Sequence, residues 1–267
     1  MSFYQVASVF RDLESGRVMV VADRSSQASK ERFDGFSERD AALVRWRFDC
    51  GYVAELAVRR YRKMFGNAKR ILDIGCGIGE AAKWADEADY FGIDLSETLV
   101  RKGRKHHKNF LAAATVCALP FPSETFDHVT CMGVLHHLPK GEIVVAFKEM
   151  ARVLKNGGLI AIIEPNPWSF YQRLFAYLRS AERGILNTSP HNLGRTIDSI
   201  AGLKIEEFEY DHTMFWPSYM TFVMRRWSWP RGPLMTGCLM ALHKLVVRLT
   251  PRSLRSHTFW RLRKGER

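Results

Sequence analysis

Between Arg70 and Glu164 short apolar runs alternate with stretches of helical periodicity, and this alternation constrains the fold more than any other feature of the chain. The runs Arg70–Ile74, Tyr90–Ile93, Ala113–Val116, His128–Met132 and Leu159–Glu164 read as strands. Helical spacing fills 79–88, 96–107 and 141–155 between them. Strands separated by helices of about ten residues form βαβ units, which require a parallel sheet covered on both faces. The turn Leu154-Lys155-Asn156-Gly157-Gly158 is expected to stop the third helix before the fifth strand. With Lys204–Tyr210 and Phe259–Arg263 as candidate closing strands, the expected fold is α/β, a doubly wound sheet of about seven strands.

The flanks are less regular. Residues 4–23 read as two short strands around Glu14-Ser15-Gly16, and 24–40 as a polar loop, so 1–40 form an N-terminal extension. From Ala41 to Met64 apolar residues recur at helical spacing, which delivers the chain to the first core strand. The domain is expected to run from 41 to 267, with a helical insertion at 166–199 and a basic aromatic segment at 214–267. The start, MSFYQVASVFRD, has no basic stretch leading into an apolar core, so no secretion signal is expected. No apolar run approaches the ~18 residues of a membrane span. Five cysteines without a CxxC pair suit a reducing, cytoplasmic setting.

The first strand runs into ILDIGCGIGE, residues 71–80. Glycines after a strand let a ligand approach the backbone and open a helix whose amides can bind. A dinucleotide site would read GxGxxG, with a pyrophosphate on the helix end. Here the third dinucleotide glycine is replaced by Glu80, whose carboxylate repels a diphosphate. Asp73 at the strand end suits an ammonium group. Asp94, at the end of the second strand, can accept both hydroxyls of an adenosine ribose. A nucleoside with an amino-acid tail and no phosphate satisfies both acids, and S-adenosylmethionine is such a molecule.

ILDIGCGIG, YFGIDLS, LPFPSETFDHVTCMGVLHHL and ARVLKNGGLIAIIEPNP together resemble, in order and spacing, the motifs of the class I S-adenosylmethionine-dependent methyltransferases, of the small-molecule group. The resemblance covers residues 69–167 and implies the Rossmann-like fold of that family. It implies that Gly75, Cys76 and Gly77 pass under the methionine tail while Asp73 anchors its amino group. Asp94 would hold the ribose and Leu95 would pack on the adenine. Thr115 stands where the family has an acid that reads the adenine amino group, so that contact lacks charge here. Val116 and Cys117 would give backbone contacts to the adenine edge, and Met132 one near the sulfonium.

Methyl transfer from a sulfonium chiefly needs alignment of donor and acceptor, with a base where the acceptor is a hydroxyl. His136 and His137, just past the fourth strand, are the first candidates for that base. In the competing reading, one of them packs and caps the loop while the other lines the pocket. Glu164 is the second candidate, and His191 and His212 are weaker ones. Asp127 is expected to orient the fourth strand, and Cys76 and Cys131 to be small apolar fillers. No metal site is expected, because two adjacent histidines should point apart and no carboxylate stands at suitable spacing.

Charge is uneven along the chain. The net charge is +12, yet residues 1–165 hold 24 basic and 21 acidic residues, whereas 217–267 hold 11 basic residues and the single acid Glu266. Residues 214–249 interleave aromatic and apolar side chains with Arg225, Arg226, Arg231, Lys244 and Arg248. Such a segment either lies in an anionic membrane interface or packs its apolar face on the sheet with its cations in water. The order EPNP, helical insertion, aromatic-proline stretch and closing strand ending in RK also resembles a bacterial subset of the family linked to lipid and surface-polysaccharide pathways. The expected activity is methylation of oxygen or carbon of a small or lipid-linked acceptor at the cytoplasmic membrane face. Nucleic acid is a disfavoured partner, because CMGVLHHL replaces the (D/N/S)PP(Y/F) run of base methylation. The rival readings are an RNA methyltransferase and a binding protein without catalysis.

Overall fold

The computed structural model describes residues 51–85, 87–105, 109–178, 180–211 and 233–265. The strands expected at 4–23, the loop expected at 24–40, the first ten residues of the helix expected from Ala41, His212, and the aromatic stretch at 214–232 lie outside the described residues.

A seven-stranded sheet organises the chain, in the order β3-β2-β1-β4-β5-β7-β6. The strands are β1 (Arg70–Ile74), β2 (Asp89–Asp94), β3 (Phe110–Ala113), β4 (Phe126–Met132), β5 (Leu154–Pro165), β6 (Leu203–Asp211) and β7 (His257–Lys264). The first five pair in parallel. β7 slots antiparallel between β5 and β6. Helices α1 (Gly51–Phe65), α2 (Glu97–Arg104), α3 (Lys140–Val153), α4 (Phe170–Leu178), α5 (Pro190–Asp198) and α6 (Pro233–Leu249) flank it, with short 3₁₀ turns at Glu80–Trp84, Leu135–His137 and Ser180–Asn187. This is the doubly wound, Rossmann-like seven-stranded sheet expected from the sequence.

The two faces bury alternate residues. Leu72, Ile74, Ile160 and Ile162 join Phe147 and Met150 of α3 on one side. Ile71, Ala161 and Ile163 join Tyr61, Met64 and Phe65 of α1 on the other. Successive side chains of a strand point to opposite faces, so central strands buried on both sides read as continuous apolar runs. Each such large side chain contributes roughly 1.5–3 kcal/mol on burial.

Three expectations need correction. β3 lies at Phe110–Ala113 rather than Ala113–Val116, because pairing of Phe91 with Phe110 and Asp94 with Ala113 fixes its register. Thr115 and Val116 therefore stand beyond the strand end, on the loop. The helix expected at 79–88 is only the 3₁₀ turn Glu80–Trp84, since the chain must enter β2 at Asp89. The glycines at 157 and 158 do not stop a helix. α3 ends at Val153, and β5 begins at once, with a register shift opposite Phe126 and His128 that absorbs the extra residues.

Candidate functional site

The carboxyl ends of β1, β2 and β4 open into a cavity of about 350 Å³. That is where an open α/β sheet exposes loops able to bind a ligand, and the size lies in the range of small-molecule sites. Its floor is the glycine loop. The amides of Gly75 and Cys76 both donate to the carbonyl of Ile93, at 2.8 and 3.0 Å, which pins the loop to β2. Gly75 has φ +75°, and a Cβ there would come within 2.3 Å of Val134 Cγ2. A Cβ on Gly77, at φ +58°, would meet nothing within 4 Å. Bare backbone at Gly75 thus lets the β4 loop close in, while bare backbone at Gly77 keeps space open above the floor.

Asp94 stands at the cavity edge. Its two oxygens accept from the amides of Gly77 and Ser96, each at 2.8 Å. Gly75, Cys76, Gly77, Asp94, Leu95, Thr115, Val116 and Met132 all line the cavity. The sequence placed these eight together, and the fold brings them to one space. Thr115 Oγ1 accepts from the amide of Cys117 at 3.2 Å, a local turn that aims the loop. Cys117 itself is not on the wall.

Asp73 does not meet the cavity either. Its carboxylate accepts from Tyr90 Oη at 2.5 Å and from Thr130 Oγ1 at 2.9 Å, one layer below the loop. Burial raises its pKa to about 6, against the pull of these two hydroxyls. Burial also pushes the thiols of Cys76 and Cys131 well up, with neighbouring carboxylates adding to the shift, so both stay protonated.

The candidate bases separate cleanly. Glu164, fully buried, accepts from the amides of Val134 at 2.9 Å and Leu135 at 2.8 Å through Oε1. Its Oε2 accepts from the amide of His136 at 3.3 Å and lies 2.7 Å from His136 Nδ1. Glu164 therefore caps the 3₁₀ turn 135–137 from beneath, and it does not reach the cavity. His136 is buried, with Nε2 3.3 Å from Glu182 Oε2. Burial opposes its charge, but the flanking Glu164 and Glu182 raise its pKa to about 9, so it sits as an imidazolium clamped between two carboxylates. His137 alone of the pair lines the cavity. One histidine thus packs and the other faces the pocket, which leaves His137 as the member of the pair placed to act on a bound molecule. His191, exposed on α5, and Glu164 are off the wall.

The expectation that the histidine rings point apart is overturned. Their centroids are 3.9 Å apart, and with Glu182 they form a cluster whose ligating atoms lie within 4.8 Å of one another. The docking of Glu182 from the helical insertion, with Nε2 of His136 3.3 Å from its Oε2, completes a group that no sequence spacing reveals. Sequence reasoning also missed Tyr61 from α1 and Glu142 from α3, which stand on the wall, as does Glu80. Asp127 behaves as expected: it accepts from the amide of Arg70 at 2.8 Å and pairs with Lys155 at 2.6 Å. Partial burial opposes its charge, but these contacts hold its pKa below the usual carboxylate value.

Among the described residues, the cavity wall holds the carboxylates Glu80, Asp94 and Glu142 and neither lysine nor arginine. Such a wall favours a cationic ligand and disfavours a diphosphate. S-adenosylmethionine, with its sulfonium and ammonium and no phosphate, fits this donor set and the bare Gly75–Gly77 cradle.

Comparison with known proteins places the same residues in context. Residues 72–162 match the family model described as a methyltransferase domain. The chain is 31% identical over 153 residues to a demethylmenaquinone methyltransferase of Geobacillus kaustophilus, covering 51% of this chain and 59% of that protein. It is 33% identical over 105 residues to squalene methyltransferase 1 of Botryococcus braunii, covering 36% of this chain and 27% of that one. The chain thus spans little more than half of the first relative's length. Among solved structures it resembles phosphoethanolamine N-methyltransferase 2 of Haemonchus contortus in complex with S-adenosyl-L-methionine, with TM-score 0.63 and 17% identity over 89% of this chain and 60% of that one. At that identity the likeness concerns the fold.

Proposed function

We propose, from the match of residues 72–162 to the methyltransferase domain model, that this protein is an S-adenosylmethionine-dependent methyltransferase whose acceptor is small or lipid-linked and is methylated on oxygen or carbon. The observation that carries this reading is the cavity wall, which has three carboxylates, no cation among the described residues and a glycine floor. When bound, S-adenosylmethionine supplies an electrophilic methyl on a sulfonium, displaced in line, with the thioether leaving without a proton.

The chain's own residues then have distinct tasks. Asp94, already oriented by the amides of Gly77 and Ser96, would take the ribose hydroxyls. Gly75, Cys76 and Gly77 would carry the methionine tail, Asp73 would favour its ammonium from one layer below, and Leu95, Thr115 and Val116 would flank the adenine. Met132 and the 134–137 turn, held by Glu164, form the wall toward the acceptor. His137 is the imidazole on that wall, and it takes the proton released by an acceptor hydroxyl or acidic carbon. Glu164 and the charged His136 keep that turn in place and act through it.

Membrane-surface action belongs to the same reading. It is supported by the basic excess in 217–267 and by the apolar acceptors in the names of the two relatives, demethylmenaquinone and squalene. No helix among the described residues is long and apolar enough to cross a membrane. The contact proposed is peripheral.

Calorimetry with S-adenosylmethionine, followed by assay of its demethylated product in the presence of lipid and metabolite extracts, tests the proposal. Uptake of the cofactor and a mass gain of one methyl in an extracted lipid or metabolite are expected. No uptake, together with tight binding of a pyridine dinucleotide, overturns it. Steeply salt-dependent RNA binding with methylated RNA as the product overturns the acceptor class alone.

A further inference from the structure

Helix α4 is built inside out. Its buried positions are Gln172 and Ala176, while Phe170, Tyr171, Leu174, Tyr177 and Leu178 face solvent. Those five fall at i, i+1, i+4, i+7 and i+8, the stripe by which a helix normally faces a core. Phe170 is 71% exposed, Tyr177 82% and Leu178 67%, and Trp168 just before the helix is 54% exposed. Soluble proteins rarely leave a contiguous apolar face of this kind without a use for it.

The orientation of α4 is fixed by its polar side. Gln172 Nε2 donates to the carbonyl of Ser256 at 3.0 Å. Asn166 Nδ2, two residues before Trp168, donates to the carbonyls of Ser253 at 2.9 Å and Arg255 at 2.7 Å. These bonds hold the apolar stripe outward and stitch its base to the segment after α6. That segment and the end of α6 are also exposed, with Leu249 and Leu254 beside Arg248 and Arg252. Arg173 and Arg183 are exposed on α4 and the turn after it.

We propose that the outer face of α4, led by Trp168, Phe170, Tyr177 and Leu178, is the element that enters the interface of an anionic lipid bilayer, with the exposed Arg173 of α4 and Arg183 of the next turn on the headgroups. This deepens the membrane-surface part of the function proposed above and rests on it. Tryptophan, tyrosine and phenylalanine over leucine, edged by arginine, is the composition of an interfacial helix. A second copy of the chain fits less well, because it would bring the same cations to the same edge of a protein already at +12. The placement also serves the reaction. α4 packs on the turn Ser180–Asn187, which packs on Leu135–His137 at the cavity wall, so lipid docking sets the cavity two elements from the bilayer.

The test is co-sedimentation of the full chain with phosphatidylcholine vesicles, with and without phosphatidylglycerol, at low and high salt. It compares the native protein with Phe170→Ser/Tyr177→Ser/Leu178→Ser. The native chain is expected to bind anionic vesicles, and the triple variant to lose about tenfold in partitioning at unchanged melting temperature and cofactor affinity. If the variant binds as well as the native chain, the α4 assignment falls while the membrane reading stands on the basic C-terminal segment. If the native chain binds neither vesicle, both fall, and cofactor uptake still judges methyl transfer separately. If the native chain is instead a dimer that the triple variant dissociates, or if residues 212–232 cross-link onto α4 with lipid present, the face belongs to protein and the proposal is overturned.

Discussion

Glu164 shows how a single residue acquires its role from its surroundings. At the end of a core strand it has the position of a catalytic base, yet it accepts from three backbone amides and faces an imidazolium. Replacing it by glutamine leaves these donors without their charge, and an expected loss of about 2–4 kcal/mol should appear in chemical denaturation. A variant of native stability that loses only turnover would make Glu164 a base after all. His137→Asn is expected to lower kcat by about a hundredfold while leaving cofactor affinity unchanged, as steady-state kinetics with calorimetry will report. His136 sets a pH dependence. Its folded pKa, about 9, exceeds the ordinary 6.5, so its contribution is full below pH 6.5 and is lost as pH rises through about 9. The expected decline is on the order of 3 kcal/mol, and Glu182→Gln should flatten part of it. Asp73, raised to about 6, titrates in a lower window. Protonating it removes the charge beneath the loop, so uptake of S-adenosylmethionine should weaken below about pH 6. At this scale the gathering of Gly75, Gly77 and Asp94 at one cavity was legible, because a tight turn after a strand dictates glycine and the next strand end sets the place of the acid. The division of labour between His136 and His137 was not, since neighbouring histidines are alike until a partner docks.

Among the elements, the insertion does more than cover the sheet. The 3₁₀ turn Ser180–Asn187 lies so close to the turn Leu135–His137 that a Cβ on Gly184 would fall 1.7 Å from the carbonyl oxygen of His136. Only backbone contact at that point brings Glu182 onto His136. Gly184→Ala is therefore expected to undock the insertion, costing about 1–3 kcal/mol, with faster proteolysis within 166–199 and a flatter pH dependence of stability between 6.5 and 9. Native protection from protease in this variant would show that the insertion is held elsewhere. β1 could be read from the sequence to the residue, because RILDI is short and bounded. β3 could not, since Phe110–Val116 is apolar but for Thr115 and only hydrogen bonding to β2 chooses which four residues enter the sheet. The insertion at 166–199 read as helical, but which face of α4 would be buried was hidden, because an apolar stripe does not say what covers it.

For the whole molecule, ligand binding and stability are linked. At a hundred times its dissociation constant, S-adenosylmethionine should stabilise the fold by about 2.7 kcal/mol, a rise in melting temperature of roughly 5–10 °C for a domain of this size. A pyridine dinucleotide should give no shift, and a thermal melt distinguishes the two. Periodicity and the glycine loop, by themselves, determined a doubly wound sheet with a glycine-floored cavity at its carboxyl edge, because strand spacing, turn geometry and charge act over a few residues. Tertiary structure alone decided that β7 enters antiparallel between β5 and β6, that Asp73 is turned onto Tyr90 and Thr130 away from the cavity wall and that Glu182 meets His136. It alone turned the apolar face of α4 outward. Those outcomes depend on contacts between segments tens of residues apart, where packing and burial, rather than local pattern, set the energy.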